Sequence, residues 1–129
     1  MRRKSFEEMV EQMLASGCKY RREVYYFVKE ILDYTIDLAK QDNGGKRRHV
    51  SGQELLRGFR SYSLKEFGPM TFTVLREWDI HRCEDIGDVV FELIERGVFG
   101  RDSSDSIEDF ASVFEFEEVF LNPFIPTNR

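Results

Sequence analysis

Cysteine, proline and tryptophan are scarce in this chain of 129 residues, at two, three and one. Two cysteines, Cys18 and Cys83, permit one bridge at most, which excludes a disulfide-stapled miniprotein. No apolar run approaches the ~18 residues of a membrane-spanning helix, so no membrane partner is expected. The basic opening Arg2-Arg-Lys4 leads into no apolar stretch, so it does not read as a secretory signal, and a cytoplasmic location is expected. Gly44, Gly45 and Gly52 match neither phosphate-loop nor dinucleotide spacing, and no cofactor is expected.

What the chain does hold is apolar and aromatic material, 41% and 14% of its residues. Such a chain can bury a real core, so disorder throughout is excluded. The length suits a single domain over residues 1–129. Net charge is −5 but uneven, with 14 basic and 10 acidic residues before Phe67 and 5 and 14 after it. An acidic total disfavours a duplex-binding protein, because phosphate contacts need a basic face. A local basic contact stays open.

Helical signals run through most of the chain. Ser5 and Glu8 have capping-box spacing, and Phe6, Met9, Val10, Met13 and Leu14 follow on one face, which predicts an N-terminal helix over 5–16, ended by Gly17. From about Arg21 to Lys40, Val24, Phe27, Val28, Ile31, Leu32, Thr35 and Leu38 keep helical spacing. Residues 41–50 form a glycine-containing basic loop, read as the most flexible stretch. Ser51 and Glu54 form a second capping box ahead of a helix that carries Leu55, Leu56, Phe59 and Tyr62 to Phe67. Gly68-Pro69 suits a helix end followed by a helix start. Met70 to Trp78 and Cys83 to Gly97 are further helices, the second burying Ile86, Val89, Val90, Leu93 and Ile94. Residues 122–129 are an irregular tail.

The expected fold class is mainly α, a compact multi-helix domain with a helix-turn-helix-like core over 69–97. If Val98 to Arg101 and Val113 to Phe116 paired as strands, the module would be winged-helix-like, with a small β hairpin near 98–116. Residues 113–120 fit either period, since Val113 to Phe116 alternate while Phe116 and Phe120 lie four apart. Groove reading by the 83–97 helix is not expected. Its outer positions, Glu84, Asp85, Asp88, Glu92 and Glu95, would be repelled by duplex DNA.

Catalytic and metal sites find little support. Cys18, His49, His81 and Cys83 lack the paired spacings of a structural zinc site, and no metal is expected. Cys83 precedes two carboxylates that would raise its pKa, and Cys18, although near Lys19, Arg21 and Arg22, has no readable partner base. An enzyme is therefore not expected. The basic residues Lys46, Arg47, Arg48 and His49, with Arg57 and Arg60, form a candidate anion or RNA contact beside the Ser51 helix start.

The C-terminal stretch is acidic and aromatic. Five of the 12 phenylalanines lie between Phe110 and Phe124, interleaved with Glu108, Asp109, Glu115, Glu117 and Glu118. These rings either close the core or form a partner-docking strip, since aromatic anchors dominate interfaces. Trp78, Phe110, Phe114, Phe116 and Phe120 are the candidate partner-binding residues.

The segments Tyr26-Phe-Val-Lys-Glu-Ile-Leu-Asp-Tyr34, His49-Val-Ser-Gly-Gln-Glu-Leu-Leu56, Phe67-Gly-Pro-Met70, Val74-Leu-Arg-Glu-Trp78, Glu84-Asp-Ile-Gly87, Val90-Phe-Glu-Leu-Ile94, Asp109-Phe110, Phe114-Glu-Phe116 and Phe120 resemble an uncharacterised bacterial family named after a hypothetical gene of a methanotrophic verrucomicrobium. The resemblance spans about Tyr20 to Phe120 and implies no activity, cofactor or catalytic residue. One departure is Asp79, where the family pattern suggests glycine after the tryptophan. The function expected is a non-enzymatic protein-interaction or adaptor role, with an RNA-associated or ribonucleoprotein-associated regulator as the alternative and a homodimer as a further expectation.

Overall fold

A computed structural model describes residues 4–46, 48–100, 107–111 and 113–126. Five α-helices carry the fold: α1 Phe6–Ser16, α2 Arg22–Asp42, α3 Gly52–Phe67, α4 Thr71–Glu77 and α5 Cys83–Glu95. They begin largely where local chemistry dictates. Ser5 Oγ accepts the Glu8 N–H at 3.1 Å. Ser51 Oγ accepts the Glu54 N–H while Glu54 Oε1 accepts the Ser51 N–H, both at 3.1 Å, so the second capping box is complete. At α5 the capping carboxylate is Asp85, whose Oδ2 accepts the His81 and Arg82 N–H groups. Asp85 is accordingly buried rather than presented on the outer face.

Helix ends follow the same logic, with one exception of interest. α5 closes when the Gly97 N–H bonds the Ile94 carbonyl and the Val98 N–H bonds that of Leu93, with Gly97 at φ 76°. This is the left-handed cap that glycine supplies without strain. α4 closes in the same pattern, Asp79 N–H to Arg76 and Ile80 N–H to Leu75, but the left-handed position is held by Asp79 at φ 60°. It is the one non-glycine with positive φ among the described residues. The turn falls in the 79–82 connection expected between the two helices, and Asp79 bears the conformational cost of the left-handed position. Asp79→Gly is expected to raise stability by about 0.5 to 1 kcal/mol, measured by urea unfolding. A loss of stability would show that the Asp79 side chain matters more than its backbone.

α2 and α3 pair antiparallel, Phe27 meeting Phe67 and Thr35 meeting Gly58, while α5 packs on α2 and α4 on α3. Helices α2 and α3 approach closely at Gly58, where a Cβ would stand 1.9 Å from Thr35 Oγ1. The hydroxyl of Thr35 in turn donates to the Ile31 carbonyl at 2.8 Å. Between α3 and α4 a 3-10 turn, Gly68–Met70, joins the two helices, and buried Thr71 reaches the Ser63 and Gly68 carbonyl oxygens.

The C-terminal stretch contains a 3-10 turn, Ile107–Phe110, a π-helical turn, Glu117–Leu121, and a second 3-10 turn, Asn122–Phe124. No strand occurs among the described residues, so the winged-helix expectation is corrected. Two physical reasons account for this. The Val98 and Phe99 N–H groups both fold back onto the Leu93 carbonyl, at 2.9 and 3.2 Å, and are spent closing α5. Phe114 and Phe116, both on the would-be second strand, turn their rings onto Phe59 instead, with centroids at 6.1 and 5.6 Å. The ends of the proposed hairpin, Arg101 and the 102–106 loop, lie outside the described residues.

The core is a single cluster. Phe59, fully buried, is its centre, with Phe27, Phe114, Phe116 and Phe120 all within 6.5 Å of it, centroid to centroid. A second aromatic group, Phe27, Phe67 and Trp78, adjoins it. No helix among the described residues is long and apolar enough to cross a membrane.

Candidate functional site

The proposed docking strip is mostly interior. Phe110, Phe116 and Phe120 are 2%, 4% and 0% exposed, and therefore serve the core. Phe114 and Trp78 are half-buried, the indole lying 5.3 Å from the Phe27 ring and 5.8 Å from that of Phe67. Of the five, Phe114 and Trp78 alone keep part of their rings at the surface. Of the C-terminal phenylalanines only Phe124 is exposed.

The basic set is divided as well. Arg48 grips Glu54 through both terminal nitrogens, Nη1 at 3.0 Å and Nη2 at 2.6 Å, and Nη1 also donates to the His49 carbonyl. That grip and the capping bond from Ser51 lower the Glu54 carboxyl to about 2, with the Arg48 hydrogen bond the largest cause. Arg48 is thus a fixture of the α3 start, and its charge is largely met. Lys46, His49, Arg57 and Arg60 are exposed. Arg47 lies outside the described residues.

Of the two thiols, Cys18 is half-buried and Cys83 buried, while His81 lies 3.6 Å from Asp79 and His49 lines a cleft between α1, α2, α3 and α5. Cys83 is buried, and burial pushes its thiol up, with Phe114 O accepting from it at 3.4 Å. The cations flanking Cys18 in sequence point elsewhere, Lys19 to Asp88 at 3.0 Å and Arg22 to Glu11 at 2.7 Å. Nearby, the Tyr25 hydroxyl donates to Glu92 at 2.5 Å and accepts the Tyr20 N–H, fixing α2 to α5. Its pKa is raised by burial and by that carboxylate. Among the described residues no three His, Cys, Asp or Glu side chains converge as metal ligands.

What the structure brings together is a cleft of about 710 Å³, within the ~300 to 1,000 Å³ range of ligand sites. Phe6 and Met9 of α1 form one side, and Leu32 and Ile36 of α2 another. Val50 and Leu55, at the entry to α3, face Val90 and Ile94 of α5, with Val98, Phe99 and Phe110 completing the lining. Eleven of its eighteen lining residues are apolar, and its charged members are Lys29, Asp33 and Arg48, with His49 and Ser51 as the remaining polar side chains. Lys29 pairs with Asp33 at 2.6 Å, both partly solvent-exposed, and lies 5.9 Å over the Phe6 ring. Phe6 itself stacks near Phe99 at 6.4 Å.

Phe110 fits into this lining by means of two glycines. A Cβ on Gly52 would stand 3.0 Å from the Phe110 ring, and a Cβ on Gly87 would stand 2.7 Å from Phe110 Cβ. α3 and α5 therefore present bare backbone to the ring, and Phe91 meets its face edge-on at 5.8 Å. The sequence reading did not find this cleft. Its one usable signal is the width of the α2 apolar face. Ile36 and Leu32 extend that face, yet Ile36 does not pack against the core cluster.

The chain matches no family model, no curated protein and no solved structure.

Proposed function

We propose that this protein acts by binding another protein, as a non-enzymatic interaction or adaptor module, and that the cleft between α1, α2, α3 and α5 is the contact site. The cleft itself is the supporting observation. Five separate stretches of the chain contribute apolar side chains to one concavity with a few polar groups at its walls, a surface of the kind that takes the apolar face of a partner segment. The interior placement of Phe110, Phe116 and Phe120 moves the contact away from the aromatic strip and toward this concavity.

Ile36 offers a clean probe, because it lines the cleft without packing on the core. Affinity purification from the native cell, with protein and RNA both detected, is expected to yield a set of partner proteins with the unaltered chain. That set should be lost with Ile36→Glu and kept with an Arg57→Glu, Arg60→Glu double variant. Equal recovery with Ile36→Glu would rule out the cleft.

A second reading, contact with RNA or a ribonucleoprotein through Lys46, Arg47, Arg48 and His49 with Arg57 and Arg60, draws support from α3. Arg57 and Arg60 are exposed there, three residues apart, and neither makes an ion pair among the described residues. RNA recovered with the unaltered chain and lost from the double variant would favour it.

A further inference from the structure

Near its C-terminus the chain carries an apolar segment that its own core leaves outside. Residues 119–128 are the longest stretch of the sequence without a lysine, arginine, aspartate or glutamate. Val119 and Phe120 are buried, but every residue of 122–126 is exposed, Phe124 at 40% and Ile125 at 53%. Leu38 and Met70, the other exposed large apolar side chains among the described residues, stand singly on different elements, which is ordinary for a surface. Phe124 and Ile125 are the one adjacent pair, and prolines flank them.

Backbone chemistry holds this pair in one shape. Pro123 sits in the 3-10 turn, after which the Ile125 N–H bonds the Asn122 carbonyl at 3.2 Å. Pro126 favours extended backbone at the residue before it, and Ile125 lies at φ −83° and ψ 125°. A segment already held in shape loses little freedom on binding.

The cleft is complementary to such a segment in charge as well as in apolar character. Lys29 is met by Asp33, and Arg48 by Glu54 through both terminal nitrogens. A charged segment entering the cleft gives up hydration and finds both cations engaged, whereas an uncharged one gives up little. Leu32, Ile36, Val90 and Phe99 supply the apolar walls. Cleft and segment also lie apart in the fold. The π-helical turn leading to the segment rests on α4, and no residue of α4 or of 117–126 lines the cleft. Two complementary surfaces at separate places on one molecule make a heterologous contact between copies.

We infer that the cleft of one copy of this protein receives the 122–126 segment of a second copy, with Phe124 and Ile125 between the apolar walls of α2 and α5. The inference rests on the reading of the cleft as a protein contact site, and it names the occupant.

The test is sedimentation equilibrium of the full chain, of a Phe124→Ser, Ile125→Ser double variant and of Ile36→Glu. The unaltered chain is expected to exceed its monomer mass of 15.3 kDa as its concentration rises to about 1 mM, and each variant alone to stay at that mass. Mixed in equal amounts, the two variants should form a one-to-one complex, because the double variant keeps an intact cleft and Ile36→Glu an intact segment. Misfolding of either variant could not give that result. In a nuclear magnetic resonance titration of the double variant, an acetylated, amidated peptide of residues 121–126 should shift amides of residues 32–36, 50–55 and 90–99. The same peptide with serine for its Phe and Ile should bind at least about tenfold more weakly. The inference is overturned if the unaltered chain stays monomeric, if association survives in the double variant, if the mixed variants fail to pair, or if the peptide leaves those amides unshifted. A monomeric chain whose partner proteins are still lost with Ile36→Glu overturns this inference alone and keeps the adaptor reading. Partner proteins retained with Ile36→Glu remove the contact site beneath both.

Discussion

Phe59→Ala is expected to cost about 3 to 5 kcal/mol, the range for removing a fully buried phenylalanine ring. Phe59 is 0% exposed, and its four ring neighbours come from three places in the chain: Phe27 on α2, and Phe114 and Phe116 just ahead of the π-helical turn that carries Phe120. Collapse into the void would need all three to move together. Because small domains are stable by only ~5 to 15 kcal/mol, the substitution removes a large share of the total. In urea, where slopes run at ~1 to 3 kcal/mol per molar, the midpoint should fall by about 2 M. A loss under 1 kcal/mol would mean that the aromatic cluster is not the centre of the core.

The second large effect is expected at the crossing of α2 and α3. Gly58→Ala would place a methyl group 1.9 Å from Thr35 Oγ1 and 3.0 Å from Thr35 Cβ, both on the facing helix α2. Overpacking typically costs ~1 to 3 kcal/mol, and so tight a contact belongs at the upper end. Alanine regains ~1 kcal/mol over glycine inside a helix, leaving a net loss of about 2 kcal/mol. Thr35→Ala in the same chain removes the 1.9 Å contact and should recover much of the loss, although each single substitution is destabilising. A double-mutant cycle on chemical unfolding reads this coupling directly. Simple additivity would show that the two residues do not meet as described.

Much of the helical layout was legible because its signals are local. Ser51 and Glu54 satisfy each other's backbone within four residues, and Gly97 sits at the left-handed position that ends α5. The C-terminal stretch was not legible for the opposite reason. Residues 113–120 carry both periods, and the choice is made by Phe59, more than fifty residues earlier, which gathers Phe114, Phe116 and Phe120 into one cluster. The same distance problem hid the cleft. Gly52 and Gly87 read locally as a helix start and a helix interior, and only the approach of Phe110 gives them a common purpose. A glycine inside a helix, such as Gly58 or Gly87, is itself a weak signal of close packing. Asp85 misled for a similar reason, since an acidic residue in a first turn can face solvent or turn back as a cap, and here it caps.

The gathering of rings around Phe59 also bears on how the molecule is made. A ribosome delivers α1 through α5 before the segment that carries Phe110, Phe114, Phe116 and Phe120, so the growing chain can pair α2 with α3 while one side of Phe59 is still bare. Completion of the core is thereby deferred until residues 110–120 have cleared the exit tunnel. Until then the nascent chain carries an uncovered apolar face, the kind of surface that chaperones engage and that leads unfinished chains to associate.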